Sequence, residues 1–212
     1  MKSQVRGGTR WKRFAVVMVP SVAATAAIGV GLAQGALAAS FSISGQEFKV
    51  KADSLVGKDF VQYGSVASGK DLKGQPFAEP VGVSGFSEAW ISNMCQSVVT
   101  PDVPFIGNVS LELRAGTDPA KPVYAKDIYL DVSSLKADAE FGNIDIGVAA
   151  GSLKDPGIQP GTQANPYGFS QRAKTAKLTN VEQKAWATTA GTFKLSNLSL
   201  KLHKGTKECF TE

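Results

Sequence analysis

The sequence of 212 residues has little of what metal sites and common catalytic sites need. It contains one histidine, His203, and two cysteines, Cys95 and Cys209. Structural zinc sites use four cysteine and histidine ligands, so we predict no metal and no cofactor. A G-x-S-x-G nucleophile elbow, a phosphate-binding loop and a dinucleotide fingerprint are also missing. The nearest stretch to an elbow, GVSGF at 82–86, lacks the last glycine.

A serine hydrolase would have to pair His203 with Ser84 or with another serine, because the chain has no second histidine. Leucines alternate with polar residues at 198–202, and this alternation places His203 on the polar face at a strand end. An exposed histidine of that kind is typical of a protein surface. The sequence therefore favours a non-enzymatic protein and predicts no catalytic residue, with a lipid (sterol) ester hydrolase as one alternative.

The N-terminal segment 1–38 has the composition of a secretory signal peptide. Basic residues occupy 1–13, an apolar run follows at 14–33, and an A-x-A site stands at 36–38. The apolar run is also long enough to span a bilayer, so an uncleaved membrane helix is the alternative. We predict a secreted or extracytoplasmic cell-envelope protein, which would be membrane-anchored if the leader were kept.

The net positive charge of the chain comes from this leader. Five of the 23 basic residues and none of the 18 acidic residues lie in it, which leaves 18 of each sign after residue 38. A chain with zero net charge has no general attraction for nucleic acid, and we predict no nucleic-acid partner.

Two cysteines in an exported protein are most simply one disulfide, here between Cys95 and Cys209. The alternative is a thiol nucleophile, and His203 would be the only histidine able to act as its base. A disulfide would place the segment around Cys95 beside the C-terminal strand.

Apolar residues stand at every second position in most of the remaining chain, for example at 41–52, 108–115, 128–141 and 193–202. This is the period of a strand with one buried face. We predict an all-β fold at 39–212, in which mostly antiparallel, kinked strands form a single domain. The strands would build a curved sheet, a sandwich or a half-barrel, after an N-terminal signal helix. Long loops are expected at 66–85 and 151–171, where Gly and Pro are frequent.

An Asn or Asp recurs within these strands roughly every 17 residues, usually before an apolar residue. Both residue types tolerate the left-handed backbone region, where a strand can kink and exchange the faces of its side chains. The alternative is that Asn is simply common at exposed strand positions. We predict strand corners at Asn93, Asn108, Asp127, Asn143, Asn180 and Asn197.

A curved sheet with one apolar face has to cover that face, either with a second sheet or with an apolar ligand. Aromatic side chains could line such a ligand site: Phe48, Phe60, Trp90, Phe141, Trp186 and Phe193. We therefore predict a lipid or another apolar ligand as the partner. A structural surface or assembly protein is the second hypothesis.

Three stretches, SNMCQSV at 92–98, FKVKADSLVGKDFVQYG at 48–64 and SNLSLKLHKG at 196–205, resemble an uncharacterised family of small exported proteins of filamentous actinobacteria. The resemblance covers nearly the whole chain. It implies export, the cysteine pair and a small membrane protein as an envelope partner. Some members carry the label "cholesterol esterase", which this sequence does not support because it lacks the elbow.

Overall fold

Extended strands make up most of residues 43–211, the part of the chain that the computed structural model describes. The eight strands are β1 (Ile43–Gly45), β2 (Phe48–Asp71), β3 (Pro76–Ser92), β4 (Met94–Val103), β5 (Gly107–Ala115), β6 (Val123–Ala149), β7 (Phe169–Lys194) and β8 (Ser199–Lys204). One turn of 3₁₀ helix, Ala150–Ser152, follows β6, and the described residues contain no α-helix. The prediction of an all-β fold is confirmed. The predicted leader and its signal helix lie outside the described residues.

All eight strands belong to one curved sheet in the order β3-β6-β7-β2-β4-β5-β8, with β1 beside β2. Neighbours are antiparallel, apart from the short parallel pair of β1 with β2. The strand β3 pairs with β6 along one edge and with β2 along the other, so the four long strands curl around a common interior. The sheet is curved, as one of the predicted alternatives has it, and it is not divided into the two sheets of a sandwich.

Buried apolar side chains form two clusters on opposite faces of the long strands. The main cluster contains Leu55, Phe60 and Phe86 and lies inside the curve. The second cluster contains Val61 and Tyr63, which come one and three residues after Phe60 in β2. Because successive strand residues point to opposite faces, β2 contributes to both clusters within four residues.

The segment 153–168, between the 3₁₀ turn and β7, covers the second cluster. Leu153 is buried in that cluster, and Ile158 and Ala164 pack against it. The hydroxyl of Tyr63 accepts a hydrogen bond from the backbone N–H of Gln159 at 2.8 Å. The segment is therefore a packed cover for this face of the sheet.

The prediction of a long loop at 66–85 is wrong. The strand β2 continues to Asp71, and β3 begins at Pro76, so the two strands form a hairpin with a turn at 72–75. The side chain of Asp71 accepts hydrogen bonds from the backbone N–H groups of Lys73 and Gln75 and fixes that turn. Both prolines of this stretch, Pro76 and Pro80, lie where β3 pairs with β2 and not with β6, so Pro80 opposite Val66 requires no break of the strand.

Backbone corners run across the sheet in rows. Residues with positive φ occur at Asp59 (51°), Asp127 (50°) and Asn143 (54°), each at a point where the strand register skips a pair. Together with Ser87 and Lys174, which occupy the skipped positions of β3 and β7, these residues form what we call the first corner row.

Side chains join the first corner row. The Ser87 hydroxyl donates to the Asp59 carboxylate at 2.7 Å, and Lys174 Nζ lies 3.7 Å from the same carboxylate. In β2, buried residues of the main cluster change from odd to even numbers across this row, from Leu55 to Phe60. A corner therefore exchanges the faces of the strand and bends it, as expected for a bulge.

A second corner row lies one level away. Asn93 donates from Nδ2 to Asp53 at 3.0 Å, and Asn180 donates from Nδ2 to Asp138 at 2.8 Å. Asn93 and Asn180 have positive φ, at 50° and 53°. Two rows of corners at separate levels give the sheet its curvature.

Candidate functional site

The concave interior contains a cavity of about 160 Å³. Its walls are mostly apolar and come from the four long strands: Leu55, Phe60, Phe86, Leu130, Leu135, Ala137, Ala139, Phe141, Leu178 and Val181. The ring of Phe60 lies 5.3 Å from that of Phe86 and 5.1 Å from that of Phe141, between ring centroids. These aromatic rings border a space of the size that holds benzene in a protein interior.

Three polar side chains also line this cavity. Gln62, Ser84 and Gln183 complete its lining. Gln62 donates from Nε2 to the Ser84 hydroxyl at 3.0 Å, and its Oε1 accepts from Gln171 at 2.6 Å. Ser84 and Gln183 are buried, with 5% and 6% of their surface exposed. The site therefore combines mostly apolar walls with a few hydrogen-bonding side chains, the arrangement common in small-molecule sites.

The cavity opens to solvent along the middle of β6. Leu135 lines it and is 40% exposed, and Ala139 in the same row is exposed. A cleft of about 320 Å³ lies beside the cavity and shares Gln62 and Leu135 with it. The exposed ring of Phe169 stands in this cleft. A ligand longer than the cavity could extend into the cleft without crossing a strand.

The structure brings together two of the six aromatic residues that the sequence suggested as a ligand lining, Phe60 and Phe141. Phe48 packs at the border of the main cluster. Trp90 lies against Tyr124 at 5.7 Å between ring centroids, and Phe193 is 38% exposed.

Trp186 lies on the other face of the sheet, stacked on Phe77 at 4.9 Å. Sequence reasoning did not select Phe86, because the face exchange next to it falls at Ser87 and no Asn or Asp marks that corner. Gln62 was not selected either, and Ser84 was considered only as a nucleophile and not as part of a ligand site.

Five of the six predicted corners have positive φ: Asn93, Asp127, Asn143, Asn180 and Asn197. Asn197 lies in the turn between β7 and β8. Asn108 does not have positive φ, since the adjacent Gly107 takes the left-handed conformation at the hairpin. The Asn108 amide instead donates to the Thr206 hydroxyl at 3.1 Å and ties the C-terminal tail to β5.

Cys95 and Cys209 form a disulfide with a Cα–Cα distance of 5.8 Å. The C-terminal tail, residues 205–211, lies on one face of β4 and β5. The backbone N–H of Cys209 donates to the Ser97 hydroxyl at 3.0 Å, and that of Lys207 donates to the Ser110 hydroxyl at 2.8 Å. The predicted disulfide is confirmed, and neither sulfur is free to act as a nucleophile.

His203 lies on β8 beside a buried carboxylate. Its Nε2 is 3.6 Å from Glu112 Oε2, and Arg114 and Lys207 lie 2.7 and 3.2 Å from the same carboxylate. The hydrogen bond from Arg114 lowers the pKa of Glu112 below its ordinary value of 4.5, and the hydrogen bond from Lys207 acts in the same direction. Ser84 is on β3, bonded to Gln62, so the structure does not unite this serine with the histidine.

The strands β4, β5 and β8 form a wing that extends beyond the curled strands. The register places Val98, Leu111 and Leu202 in one row across the wing, and Leu113 beside Leu200 in the next row. We call these five residues the leucine face. Leu200 is 56% exposed and Leu202 is 67% exposed. The opposite face of the wing is the one covered by the C-terminal tail.

No helix among residues 43–211 has the length and the apolar composition needed to cross a bilayer. Within the same range there is no group of three or more His, Cys, Asp or Glu side chains placed to hold a metal ion.

A family model described as "Family of unknown function (DUF6230)" matches residues 44–210. Searches of the curated proteins and of the solved structures found no protein similar to this chain. The match includes both cysteines, the two corner rows and every residue of the cavity lining. The chain therefore belongs to the DUF6230 family, a family of unknown function, which agrees with the predicted membership of an uncharacterised family.

Proposed function

We propose that this protein is exported to the cell envelope and there binds an apolar ligand, of the kind supplied by a lipid acyl chain, in the concave cavity. The observation that carries the proposal is the cavity itself, which has ten apolar lining residues and three polar ones gathered from four strands. The composition of the leader supports export. No catalytic group is assigned to the site.

The size of the cavity limits the ligand. A space of about 160 Å³ accepts a ring or a short stretch of alkyl chain. The remainder of a longer chain would continue along Leu135 into the adjoining cleft. A carbonyl or hydroxyl group on the ligand would find donors and acceptors at Gln62, Ser84 and Gln183.

Burial of the chain supplies the affinity, because each buried CH₂ group contributes about 0.8 kcal/mol. Hydrogen bonds from the polar lining residues would orient the ligand and add little net affinity, because the same groups bond to water in the free protein. The cavity should therefore discriminate ligands by chain width and by the place of a single polar group.

Two measurements test the proposal. One portion of the purified full chain is extracted with organic solvent and the extract is searched for lipid. A second, native portion is mixed with octanoic acid or hexadecanoic acid and examined by native mass spectrometry. We expect a co-purifying lipid or a stoichiometric complex with at least one acid. The substitution Ala139→Phe fills the mouth of the cavity and should abolish the complex.

Ala78→Phe is the matched control, because Ala78 is an exposed strand residue that does not line the cavity. It should leave the complex intact. Equal binding by both variants, or no binding by the unchanged protein, would overturn the proposal.

A further inference from the structure

Two glycines form the floor of the cleft beside the cavity. Gly64 of β2 lies directly opposite Gly82 of β3, and both line the cleft of about 320 Å³. A β-carbon added to Gly64 would meet no atom within 4 Å, and one added to Gly82 would approach only the carbonyl oxygen of Val132, at 3.8 Å. Neither glycine has a positive φ. The fold therefore requires glycine at these positions neither for backbone geometry nor for packing.

The glycine floor suits a flat group. Glycine weakens a strand, and inside a strand it often marks a place where a ligand approaches the backbone closely. The ring of Phe169, which is 65% exposed, lines the same cleft. A flat ring could lie in contact with the peptide planes of both strands, because no β-carbon holds it away. An alkyl chain gains nothing from the absence of these β-carbons, since it can pack against side chains equally well.

A row of polar side chains separates the glycine floor from the aromatic rings of the cavity. The register places Gln171, Gln62 and Ser84 side by side on β7, β2 and β3, two residues before or after the glycines. Residues on one face of a strand are about 7 Å apart, so the polar row lies about that distance from the floor. Phe60 and Phe86 follow two residues beyond it. A ligand that lies along the strands would therefore cross from the floor over the polar row to the aromatic rings.

The polar row offers a hydrogen-bond donor. The Ser84 hydroxyl accepts from Gln62 at 3.0 Å, and its own proton has no acceptor among residues 43–211. A carbonyl oxygen on a ligand would accept this proton. None of the described residues that line the cleft or the cavity is a lysine or an arginine, so the part of the ligand that enters should be uncharged.

We propose that the ligand is an alkyl quinone or an equally flat, uncharged ring ketone with an alkyl chain. The ring lies on the glycine floor beside Phe169, a carbonyl oxygen accepts from Ser84, and the chain enters the cavity. In an alkyl quinone the chain is joined to the ring carbon next to a carbonyl, so the oxygen and the chain leave the ring on the same side. This inference rests on the proposed binding of an apolar ligand and names its class.

The test compares three probes of one chain length by native mass spectrometry of the full chain. They are a naphthoquinone with a decyl chain beside a carbonyl, decylnaphthalene, which lacks both oxygens, and decanol, which lacks the ring. We expect the naphthoquinone to bind about tenfold more tightly than decanol, because its ring buries additional apolar surface.

The floor is tested by Gly64→Val, which should weaken naphthoquinone binding by about tenfold and leave decanol binding unchanged. The variant should fold with an unchanged or higher urea midpoint, because the new β-carbon meets no atom within 4 Å and valine favours strands. Gly82→Val is a second variant with the same expected result. Ala78→Val is the matched control, since Ala78 is an exposed strand residue that lines neither space, and it should leave the binding of all three probes unchanged.

The hydrogen bond is tested by Ser84→Ala. This substitution should weaken naphthoquinone binding by about fivefold, the loss expected for one neutral hydrogen bond, and leave decylnaphthalene binding unchanged. An equal loss for both probes would contradict the assigned bond.

The outcomes separate this inference from the proposed function. If decanol binds but the naphthoquinone binds no more tightly, or if the glycine variants bind the naphthoquinone as the parent does, the ring assignment is overturned and the chain site remains. Loss of decanol binding in Gly64→Val would show that the chain itself lies in the cleft, and would also overturn the ring assignment. If none of the three probes binds, the proposed function and this inference are both wrong.

Discussion

Reduction of the Cys95–Cys209 disulfide should destabilise the protein through its unfolded state. The two cysteines are separated by 114 residues, so the bond closes most of the described chain into one loop. In the chain-entropy model a closed loop of this length contributes about 5 kcal/mol to the free energy of unfolding. That is a large part of the 5–15 kcal/mol that is typical of a native protein.

The folded state should change little on reduction. Hydrogen bonds still hold the tail on β4 and β5, because the backbone N–H of Cys209 donates to Ser97 and that of Lys207 donates to Ser110. The ion pair of Lys49 with Glu208, at 2.9 Å, holds the tail to β2. The loss should therefore appear as a lower urea midpoint with the same native circular dichroism spectrum.

The assay is urea unfolding of the unchanged protein with and without dithiothreitol, in parallel with the double variant Cys95→Ala, Cys209→Ala. Reduction keeps both sulfur atoms, whereas the double variant also loses the buried Cys95 thiol, which is 5% exposed. We expect the double variant to be slightly less stable than the reduced protein. A loss below about 2 kcal/mol on reduction would refute the reasoning, because the unfolded chain would then already be restricted without the bond.

Three further predictions concern single residues and are all checked by urea unfolding. Asn180→Ala should cost about 1–2 kcal/mol because of its positive φ, Asn180→Gly should cost less, and Asn108→Ala, without positive φ, should cost less than about 1 kcal/mol. Glu112→Gln should destabilise the protein at pH 7. Because the folded pKa of Glu112 is below 4.5, its carboxylate contributes fully to the free energy of unfolding above pH 4.5, and this contribution is lost as pH falls through the folded pKa. The stabilities of the variant and the parent should therefore converge in acid. Burial raises the pKa of Asp131 above 3.8, so Asp131→Asn should stabilise the protein at pH 7 and bring no advantage below pH 3.8. For Glu112 or Asp131, a difference in stability between variant and parent that stays the same from pH 7 into acid would contradict the assigned pKa shift.

The strand pattern and the corners were readable from sequence because each depends on local chemistry. Alternation with period two is imposed by the two faces of a strand, and it predicted the all-β fold. Asn and Asp tolerate the left-handed region, and this marked corners such as Asn143 and Asn180. The number of cysteines and the expected compartment were enough to predict the disulfide.

The order of the strands was not readable, because long-range pairing depends on packing between distant segments. Nothing in the local sequence shows that β3 pairs with both β2 and β6, and the cavity arises from that double pairing. Composition also misled at 66–85, where Gly and Pro suggested a loop and the structure has paired strands. Corners without Asn or Asp, such as Ser87, cannot be recognised in the sequence. For that reason the sequence did not show on which face of the sheet Phe86 and Ser84 lie.

The corner rows set a rule for how this family can change in length. Each row aligns kinks on several strands, and neighbouring kinks are joined side chain to side chain, as Ser87 is to Asp59 and Asn93 is to Asp53. Deleting one residue between two corners would move one kink out of its row and turn every following side chain of that strand to the other face. Insertions and deletions should therefore be confined to turns and covers such as 72–75 and 153–168, and the spacing between corners should stay fixed while the side chains around them vary.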